Sequence, residues 1–326
     1  MVLKKGIKNN KEAVEAIQKV LGIKVDGDFG GITETSVKNF QIKHGLKPDG
    51  EVGPITAKAM GIDLNEYIDT DRTGFDDSHD SDNKLNYLGS YKTADELEID
   101  RAYLDGDEYV KDYGKIKPKS FFLHHTAGWN NPYKTINSWN IDDRGRVATQ
   151  YVIGGTSIIK GKYDDDKYNG TVVECFPDNY LGWHLGKTGD FNMTKYSSAV
   201  EICNFGYVVK KGDKFYNYVN TEVPEEMICD LGFSFRGHQY WHAYTPEQIE
   251  NLRLLIKHVK KIYPTIDMSA GLPKLLKDGV HPKDAFEFNK DAYYGKVNGL
   301  WTHTNVRQDK FDCFPQKELV DLLKEL

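Results

Sequence analysis

The feature that most constrains the fold of this chain is a short internal repeat near its start. The segment Lys24-Val-Asp-Gly-Asp-Phe-Gly-Gly-Ile-Thr33 returns as Lys47-Pro-Asp-Gly-Glu-Val-Gly-Pro-Ile-Thr56, so that matched positions lie 23 residues apart. In each copy the Asp-Gly pair predicts a tight turn that tolerates a positive φ. The apolar residue that follows, Phe29 or Val52, is predicted to enter a core. The repeat therefore indicates a small unit in which two equivalent turns separate helices.

Helical periodicity on either side of the turns extends this unit. Asn10 is predicted to cap a first helix and Gly22 to end it. Thr33 and Thr56 are each predicted to cap the helix that follows its turn. The apolar positions on one side of these helices are Val14, Ile17, Val20, Leu21, Val37 and Phe40. Residues 1–62 are therefore predicted to form a three-helix domain.

Charge sets the next region apart. Residues 63–112 hold 16 acidic and five basic residues, whereas the net charge of the whole chain is −6. The polar stretch 63–86 shows a period of neither 2 nor 3.6 and is predicted to be a solvated acidic linker. His79 lies there among aspartates, and we interpret it as part of a solvated charge run rather than a cation site. No basic surface for nucleic acid is predicted.

The remaining composition favours a globular protein without a disulfide framework. Hydrophobic residues make up 39% of the 326 residues, which suffices for the cores of two domains. The four cysteines are scattered and form no CxxC pair, which indicates reduced thiols. The first residues are too polar for a signal peptide, and no apolar run approaches the roughly 18 residues that span a membrane. We therefore expect synthesis in a cytoplasm and no membrane insertion.

Residues 87–326 alternate strand-like and helix-like runs, which predicts an α/β fold with a mixed β-sheet and flanking helices. The predicted strands are 120–124, 149–153, 170–176 and 197–204. Thr245-Pro-Glu-Gln has the pattern of a capping box with proline at the first helical position. The helix that follows is predicted to bury Ile249, Leu252, Leu255, Ile256 and Val259 on one face.

Three residues of this region have the side chains that a catalytic zinc site uses. Such a site takes three ligands of His, carboxylate or Cys type and leaves one position open. His124 ends a predicted strand, His303 lies in Trp-Thr-His-Thr-Asn, and Asp312 follows nine residues later. Each of the three is weak evidence by itself, because a single histidine is more often a core or surface residue than a ligand.

A second histidine pair has the spacing that would place two ligands on one helix face. His238 and His242 are four residues apart. The surrounding segment 235–244 is predicted to be an aromatic loop, however, and no carboxylate lies at a useful spacing. This pair is therefore not predicted to bind a metal.

The motifs of both regions resemble those of cell-wall enzymes. Residues 8–60, with Val-Asp-Gly-Asp-Phe-Gly and Asp-Gly-Glu-Val-Gly, resemble the peptidoglycan-binding domain found at the ends of many wall hydrolases. Residues 108–320 resemble the zinc amidase family, which includes phage lytic amidases and is related to peptidoglycan recognition proteins. The motifs that carry this are Leu123-His-His-Thr-Ala-Gly128, Gly182-Trp-His-Leu-Gly186, Ser197-Ser-Ala-Val-Glu201 with Asn204, and His303 followed by Lys310-Phe-Asp312.

Carried over residue by residue, the resemblance implies that His124, His303 and Asp312 bind Zn²⁺. Glu201 is then the residue that orients or deprotonates the attacking water, and Lys310 the one that stabilises the oxyanion. The residues expected to bind substrate are His184, Trp183, Asn204 and His125. The implied partner is bacterial peptidoglycan.

Three departures from the family pattern leave parts of this site open. Cys313 stands where many members have proline, and it is a second choice for the third ligand. Thr149-Gln150 stands where some members place a catalytic tyrosine. The long insertions 208–244 and 264–300 are expected to reshape the groove and hence the preferred wall chemotype.

The expected function is hydrolysis of the amide bond between N-acetylmuramic acid and L-alanine of the stem peptide, by a phage endolysin released through a holin-type pore. A host autolysin that is exported otherwise is an alternative. So are a zinc peptidase acting on the stem or cross-bridge, with the same two-domain build, and a non-catalytic recognition protein on the same fold. A divalent ion other than zinc also fits the residues, and the sequence predicts no oligomeric state.

Overall fold

The structure is a computed structural model. It describes residues 3–6, 9, 11–62, 85–105, 108–110, 117–142, 146–162, 166–190 and 192–326. The chain divides into two compact units, Met1–Asp80 and Ser81–Leu326. Asn10, predicted to cap the first helix, and nearly all of the predicted linker 63–86, with His79, lie outside the described residues. The predicted cap and the predicted domain limits therefore stay predictions.

The first unit is built from three helices, as the repeat predicts. They are α1 (Lys11–Leu21), α2 (Gly31–Lys43) and α3 (Pro54–Ala59). Gly22 takes a φ of 64° directly after α1, which confirms the predicted helix end. Phe29 and Val52 are buried, as predicted from their equivalent places in the two turns. The core that they join also contains Leu3, Ala13, Val14, Ile17, Val37, Ala57 and Met60.

The predicted role of the two repeat threonines is wrong. The helices α2 and α3 begin after Gly30 and Gly53, whose extended backbones supply the N-caps without a side-chain hydrogen bond. Thr33 therefore lies inside the first turn of α2, where it is buried. Its hydroxyl donates to the carbonyl oxygen of Asp28 at 3.1 Å. The threonine thus fastens the preceding turn to the helix instead of capping it.

A buried glutamine organises each copy of the repeat. Gln18 donates from Nε2 to Asp26 Oδ1 at 2.8 Å, to the carbonyl oxygen of Asp28 at 2.9 Å and to Thr33 Oγ1 at 3.2 Å. Its Oε1 accepts from the backbone N–H groups of Asp26 and Gly27, both at 2.9 Å. One amide therefore pairs with three backbone groups of the turn, and all of its own polar atoms have partners.

The second glutamine, Gln41, lies 23 residues after the first and repeats this pattern. Its Nε2 donates to Asp49 Oδ1, to the carbonyl oxygen of Glu51 and to Thr56 Oγ1 at 2.8–3.1 Å. Its Oε1 accepts from the N–H of Gly50 at 2.9 Å. The two copies of the repeat therefore share a hydrogen-bond pattern as well as a sequence pattern.

The second unit centres on a seven-stranded mixed sheet with flanking helices, which is the predicted fold class. Its described strands are β1 (Asn86–Lys92), β2 (Glu98–Tyr103), β3 (Ser120–His125), β4 (Tyr151–Ile153), β5 (Val172–Glu174), β6 (Ser197–Ile202), β7 (Val208–Lys211), β8 (Lys214–Asn217), β9 (Glu222–Val223), β10 (Ile228–Phe235), β11 (His238–His242) and β12 (Gly299–Thr302). The order in the main sheet is β1-β2-β5-β4-β6-β3-β12.

The direction of the strands decides where their ends meet. Strands β4, β6, β3 and β12 are parallel neighbours, whereas β5 runs antiparallel to β4. The carboxyl ends of the four parallel strands therefore lie along one edge. In the register of β3 and β6, His124 is paired with Glu201, so both side chains project from the same face of the sheet.

Seven helices flank the sheet in the described part of this unit. They are α4 (Pro132–Asn140), α5 (Pro246–Ile262), α6 (Leu272–Lys277), α7 (Pro282–Ala285), α8 (Lys290–Tyr293), α9 (His303–Val306) and α10 (Lys317–Glu325). The capping box of Thr245 and Gln248 is present, and α5 buries the predicted apolar face in the main core. None of the described helices is long and apolar enough to cross a lipid bilayer.

The first long insertion folds into two small antiparallel sheets, β7-β8-β9 and β10-β11. The prediction of an aromatic loop over 235–244 is wrong, because His238–His242 is strand β11. Trp241 pairs with Cys229 in the hairpin and is fully buried. The two-residue alternation is hidden in this strand, because Trp241 and His242 are both buried although they are adjacent.

Candidate metal centre and active site

Three side chains predicted to bind metal meet at the carboxyl edge of the parallel strands. His124 belongs to β3, His303 begins α9 directly after β12, and Asp312 lies in the loop beyond. The Nδ1 atoms of His124 and His303 are 3.0 Å apart. These two nitrogens lie 3.1 and 3.0 Å from Asp312 Oδ2. All three side chains are buried, and within the residues that the structure describes they are the group positioned to hold one ion.

The orientation of the His303 ring is fixed through its other nitrogen. Its Nε2 lies 3.3 Å from the carbonyl oxygen of Leu185. Because a carbonyl oxygen can only accept, Nε2 carries the proton and Nδ1 presents a bare lone pair to the cluster. The same carbonyl oxygen accepts from Arg307 Nη1 at 3.0 Å, which holds it in place.

The His124 ring is fixed by a longer chain of hydrogen bonds. His124 Nε2 lies 3.0 Å from His184 Nδ1, and His184 Nε2 lies 2.9 Å from Ser197 Oγ. Ser197 Oγ donates to the carbonyl oxygen of Thr194 at 3.1 Å. With that hydroxyl proton committed, Ser197 accepts from His184, and His184 in turn accepts from His124. The Nδ1 of His124 is therefore left as a bare lone pair, like that of His303.

The ionisation states of His124 and Asp312 are those that metal ligands require. Burial, together with the nearby His303, lowers the pKa of His124 to about 4, so His124 is neutral at pH 7. Burial opposes ionisation of Asp312, but the two imidazoles beside it hold the pKa of its carboxyl well below the usual range. Metal ligands must be deprotonated in this way before they bind.

The spacing of the three atoms fits a zinc ion. In a tetrahedral site with bonds of about 2.0–2.1 Å, neighbouring ligand atoms are about 3.3 Å apart. The observed separations in the cluster are 3.0–3.1 Å. Two bare imidazole lone pairs and a carboxylate at this distance repel one another unless a cation lies between them. The residues present therefore fit a divalent metal.

Two further predicted residues lie beside this cluster. Glu201 projects from the neighbouring strand β6, in register with His124. Burial raises the pKa of Glu201 well above its usual value, and the charge of Asp312 raises it further, while Lys310 acts in the opposite direction. Lys310 is half-buried and comes two residues before Asp312. A carboxyl group with raised pKa and an ammonium group thus lie near the cluster.

His184 and Trp183 share one turn but have different surroundings. His184 is half-buried and contacts the ring of His124 edge-on, with ring centroids 5.2 Å apart. Trp183 is 37% exposed. The structure therefore brings His184 to the candidate metal centre, where its two nitrogens are both engaged. Substrate binding by Trp183 and His184 stays a prediction.

His125, predicted to bind substrate, points away from the cluster. Successive side chains of a strand project to opposite faces, so His124 and His125 cannot share one site. His125 is 6% exposed, its Nδ1 lies 3.2 Å from the hydroxyl of Tyr244, and its ring packs against Trp241 and Phe314. We therefore correct its role from substrate binding to core packing.

Asn204, also predicted to bind substrate, is used by the protein itself. Its Nδ2 donates to the carbonyl oxygens of His242 and Ala243 at 2.8 and 3.3 Å. Its Oδ1 accepts from the N–H of Gly206 at 2.7 Å. With 1% exposure and these bonds, Asn204 joins the end of β6 to strand β11 and offers no donor to a ligand.

Cys313, the second choice for the third ligand, does not join the cluster within the described residues. Burial raises the pKa of its thiol well above the usual value, so the residue stays protonated, and it contacts Tyr244 instead. Gln150, where some relatives place a tyrosine, is buried too and donates to Asp178 Oδ1 at 2.8 Å. Neither residue faces the candidate metal centre.

Ser197 has a role at the site that the sequence alone does not assign. It ends the hydrogen-bond chain that begins at His124. In the sequence, Ser197 is marked by its place at the start of the motif Ser197-Ser-Ala-Val-Glu201, whose expected catalytic residue is the glutamate. A serine that is four strand positions and two hydrogen bonds away from a ligand cannot be recognised without the register of the sheet.

Two buried imidazoles and a carboxylate at the carboxyl edge of parallel strands, with a flanking acid, are an arrangement that metal-dependent hydrolases use. Comparison with known families agrees with this class. Residues 114–273 match the N-acetylmuramoyl-L-alanine amidase family, and residues 10–60 match the peptidoglycan binding domain family. The chain is therefore a member of the N-acetylmuramoyl-L-alanine amidase family that carries an N-terminal peptidoglycan-binding domain. It is an amide hydrolase whose substrate is peptidoglycan.

The amidase match includes His124, His184 and Glu201 but ends before His303 and Asp312. The structure, rather than the match, brings these last two residues to the site. No curated protein matches the chain in sequence.

Several solved structures are similar to the chain at low identity. The selenomethionine derivative of AmpD is 14% identical, with a TM-score of 0.38, and the alignment covers 68% of this chain and 92% of that one. AmiD from E. coli, in complex with anhydro-N-acetylmuramic acid-L-Ala-D-γ-Glu-L-Lys, is 13% identical, with a TM-score of 0.31 and coverage of 66% and 91%. AmpDh3 from Pseudomonas aeruginosa is 17% identical, with a TM-score of 0.28 and coverage of 50% and 52%.

Proposed function

We propose that His124, His303 and Asp312 hold Zn²⁺ and that the second unit cleaves the amide bond between the lactyl group of N-acetylmuramic acid and L-alanine of the stem peptide. The observation that carries this proposal is the convergence of two bare imidazole nitrogens and one carboxylate oxygen within 3.0–3.1 Å. It occurs in a domain of the N-acetylmuramoyl-L-alanine amidase family.

The proposed ion supplies Lewis acidity and a nucleophile from water at neutral pH. A residue of the chain then transfers the proton. Glu201 takes a proton from the attacking water as its oxygen adds to the lactyl carbonyl carbon, and gives it to the amino group of L-alanine as the C–N bond breaks. The raised pKa of Glu201 makes the carboxylate a stronger base for this task.

Lys310 is proposed to stabilise the negative charge that develops on the carbonyl oxygen. Its ammonium lies near enough to lower the pKa values of both His124 and Glu201. A donor aimed at a developing oxyanion typically contributes about 3 kcal/mol. Lys310 sits two residues before the proposed ligand Asp312, so its backbone position is tied to the centre.

The peptidoglycan-binding domain is proposed to raise the local concentration of the enzyme at its insoluble substrate. Tethering of two modules makes the second binding event effectively intramolecular. Because the small unit carries no candidate cluster within its described residues, its contribution is expected in binding to walls and not in cleavage of soluble fragments.

End-group analysis of digested peptidoglycan tests the proposed reaction. The zinc-loaded protein is expected to release new N-terminal L-alanine without new reducing sugars, and Asp312→Ala is expected to release neither. The exposed neighbour Asp309→Ala is the matched control and should retain activity. New amino ends from other stem or bridge residues would instead identify a peptidase. Wall binding without any new ends would identify a recognition protein and overturn the proposal.

The biological role proposed is that of a phage endolysin that is made in the host cytoplasm and acts on the wall after passing a holin-type pore. A wall-binding domain and an amidase domain in one chain suit an enzyme that must degrade intact walls. Expression in a bacterial cytoplasm should lyse the cells only when a pore-forming protein is co-expressed. Lysis without the pore, or survival with it, would contradict this role and leave the proposed bond specificity in place.

A further inference from the structure

Arg236, in the turn of the β10–β11 hairpin, reaches the loop that carries most of the proposed centre. Phe235 and His238 pair across this hairpin, so Arg236 and Gly237 form its two-residue turn. Their φ angles are +52° and +86°. This is the conformation in which Asn, Asp and Gly are preferred, because other side chains are strained there. An arginine in the first turn position therefore calls for a reason outside the turn.

That reason lies in what its guanidinium reaches. Arg236 Nη1 donates to the carbonyl oxygens of Gln308 at 2.6 Å, Lys310 at 3.2 Å and Arg307 at 3.3 Å. Its Nη2 donates to the carbonyl oxygen of Thr304 at 2.9 Å. Four carbonyl oxygens of one short segment are thus gathered by a single, almost fully buried side chain.

The guanidinium keeps one charged partner as well. Arg236 Nε lies 2.8 Å from Glu287 Oε2 in the segment between α7 and α8. The planar fork of an arginine suits several acceptors at once, whereas a lysine ammonium does not offer the same fixed geometry. The contact is therefore specific for arginine.

The segment held in this way runs from His303 to Asp312. It contains two proposed ligands and Lys310, and it returns on itself so that the N–H of Thr304 donates to the carbonyl oxygen of Asp312 at 2.9 Å. We propose that Arg236 is a positioning residue for the metal centre, which fixes Asp312 and Lys310 relative to His303 from the turn of the β10–β11 hairpin. This inference rests on the proposed function.

Arg236→Asn separates the positioning role from the turn. Asparagine favours the left-handed conformation of this turn position, so the hairpin should form while the four carbonyl contacts are lost. Arg236→Lys keeps the charge and lacks the fork. Arg253→Asn is the matched control, since Arg253 pairs with Glu250 and Glu325 away from the cluster.

Three readouts are combined on the full-length chain. Competition with a chelator measures Zn²⁺ affinity, the visible spectrum of the Co²⁺-substituted protein reports ligand geometry, and amide exchange of residues 303–313 is followed in the metal-free protein. We expect Arg236→Asn to weaken Zn²⁺ binding 10- to 100-fold, as the loss of supporting contacts to ligands does in other metal sites. The Co²⁺ spectrum should change, and exchange in 303–313 should accelerate. Arg236→Lys should be intermediate.

Kinetics on a soluble muramoyl-peptide fragment completes the test. For Arg236→Asn we expect kcat to fall about tenfold with KM nearly unchanged, because Arg236 is proposed to act on the ligands and on Lys310 and not on the substrate. Zn²⁺ affinity, spectrum and exchange all equal to those of Arg253→Asn would overturn the positioning role even if wild-type amidase activity is confirmed. A wild-type protein that binds Zn²⁺ but cleaves nothing would contradict the proposed function, and the affinity and exchange data would then decide the positioning role. A wild-type protein that binds no divalent ion would contradict both the proposed function and the positioning role.

Discussion

The two units treat buried polar side chains in opposite ways. In the first, the amides of Gln18 and Gln41 are surrounded by turn backbone, and their donors and acceptors have partners. In the second, His124, His303 and Asp312 turn their acceptor atoms toward one another, while their remaining nitrogens are held elsewhere. A buried polar group whose donors and acceptors have partners stabilises the fold, whereas acceptor atoms that converge on one another indicate a binding site for a cation. Burial alone does not distinguish the two.

Removing one converging acceptor is the most severe test of this contrast. Asp312→Ala should abolish stoichiometric Zn²⁺ binding and lower amidase activity by about three orders of magnitude, because the ion and its Lewis acidity are lost. Because the cluster is repulsive without a cation, the metal-free variant should be no less stable than the metal-free wild type. Metal content by mass spectrometry and thermal unfolding of the two metal-free proteins measure this. Retained zinc in the variant would contradict the assigned ligand.

Removing a satisfied group should have the reverse effect. Gln18→Leu and Gln41→Leu are each expected to destabilise the first unit by about 3 kcal/mol, since buried turn N–H and carbonyl groups lose their partners. Cleavage of a soluble fragment should be unchanged. Amide exchange of residues 11–62 within the full chain gives the stability. The exposed Lys19→Leu is the control for added apolar surface, and a penalty as large as that of Gln18→Leu would remove the distinction.

Glu174 provides a third kind of buried polar group, one that has partners but is charged. Arg101 Nε and the hydroxyl of Tyr103 each lie 3.2 Å from its Oε2. Burial, together with the charge of Asp178, raises its pKa to about 7. Because the folded protein holds this proton where the unfolded chain has lost it, stability should fall as pH rises from about 4.5 to about 7.

Glu174→Gln should remove that pH dependence. Relative to wild type, the variant is expected to gain about 2–3 kcal/mol of stability between pH 5 and pH 8, as follows from the shift in pKa. Urea unfolding at the two pH values measures the difference, with the exposed Glu98→Gln to subtract the general effect of the substitution. An equal stability difference at both pH values would show that Glu174 titrates normally.

The smallest expected effect concerns the support of the cluster. His184→Ala should weaken Zn²⁺ binding about tenfold, because His124 loses the acceptor that fixes its proton on Nε2. Trp183→Ala, one residue away and exposed, should leave Zn²⁺ affinity unchanged and raise KM if Trp183 contacts substrate as predicted. Chelator competition and steady-state kinetics compare the two. Unchanged affinity in His184→Ala would move this residue from the metal centre to the substrate groove.

Patterns within one element were predictable from sequence, and contacts between distant elements were less so. The buried strand Ser120–His125, the capping box before α5 and the three short helices follow from periodicity and turn chemistry. The threonine caps failed because glycine supplies the N-cap at Gly30 and Gly53, which moves Thr33 and Thr56 inside the helices. The residue preferences for N-caps indicate which residues can cap a helix, but they do not decide which of two nearby candidates does so.

The candidate site shows the same limit. The three proposed ligands were predictable by resemblance. The roles of the residues next to them depend on which face of a strand each side chain occupies. His125 follows His124 and yet lies in the aromatic core. Arg236 and Ser197 reach the site through tertiary contacts that leave no local pattern. Sequence spacing identifies the chemistry, and the sheet register assigns the roles.

The wide separation of the cluster along the chain has a consequence for when an active enzyme can exist. Asp312 and His124 are 188 residues apart. At a synthesis rate of about 5–20 residues per second, roughly 10–40 s pass between the appearance of the first proposed ligand and the last. During that interval the nascent chain already holds its wall-binding domain but not its centre. Binding ability therefore precedes hydrolytic ability in every newly made molecule, and fragments released early by the ribosome would occupy walls without cutting them.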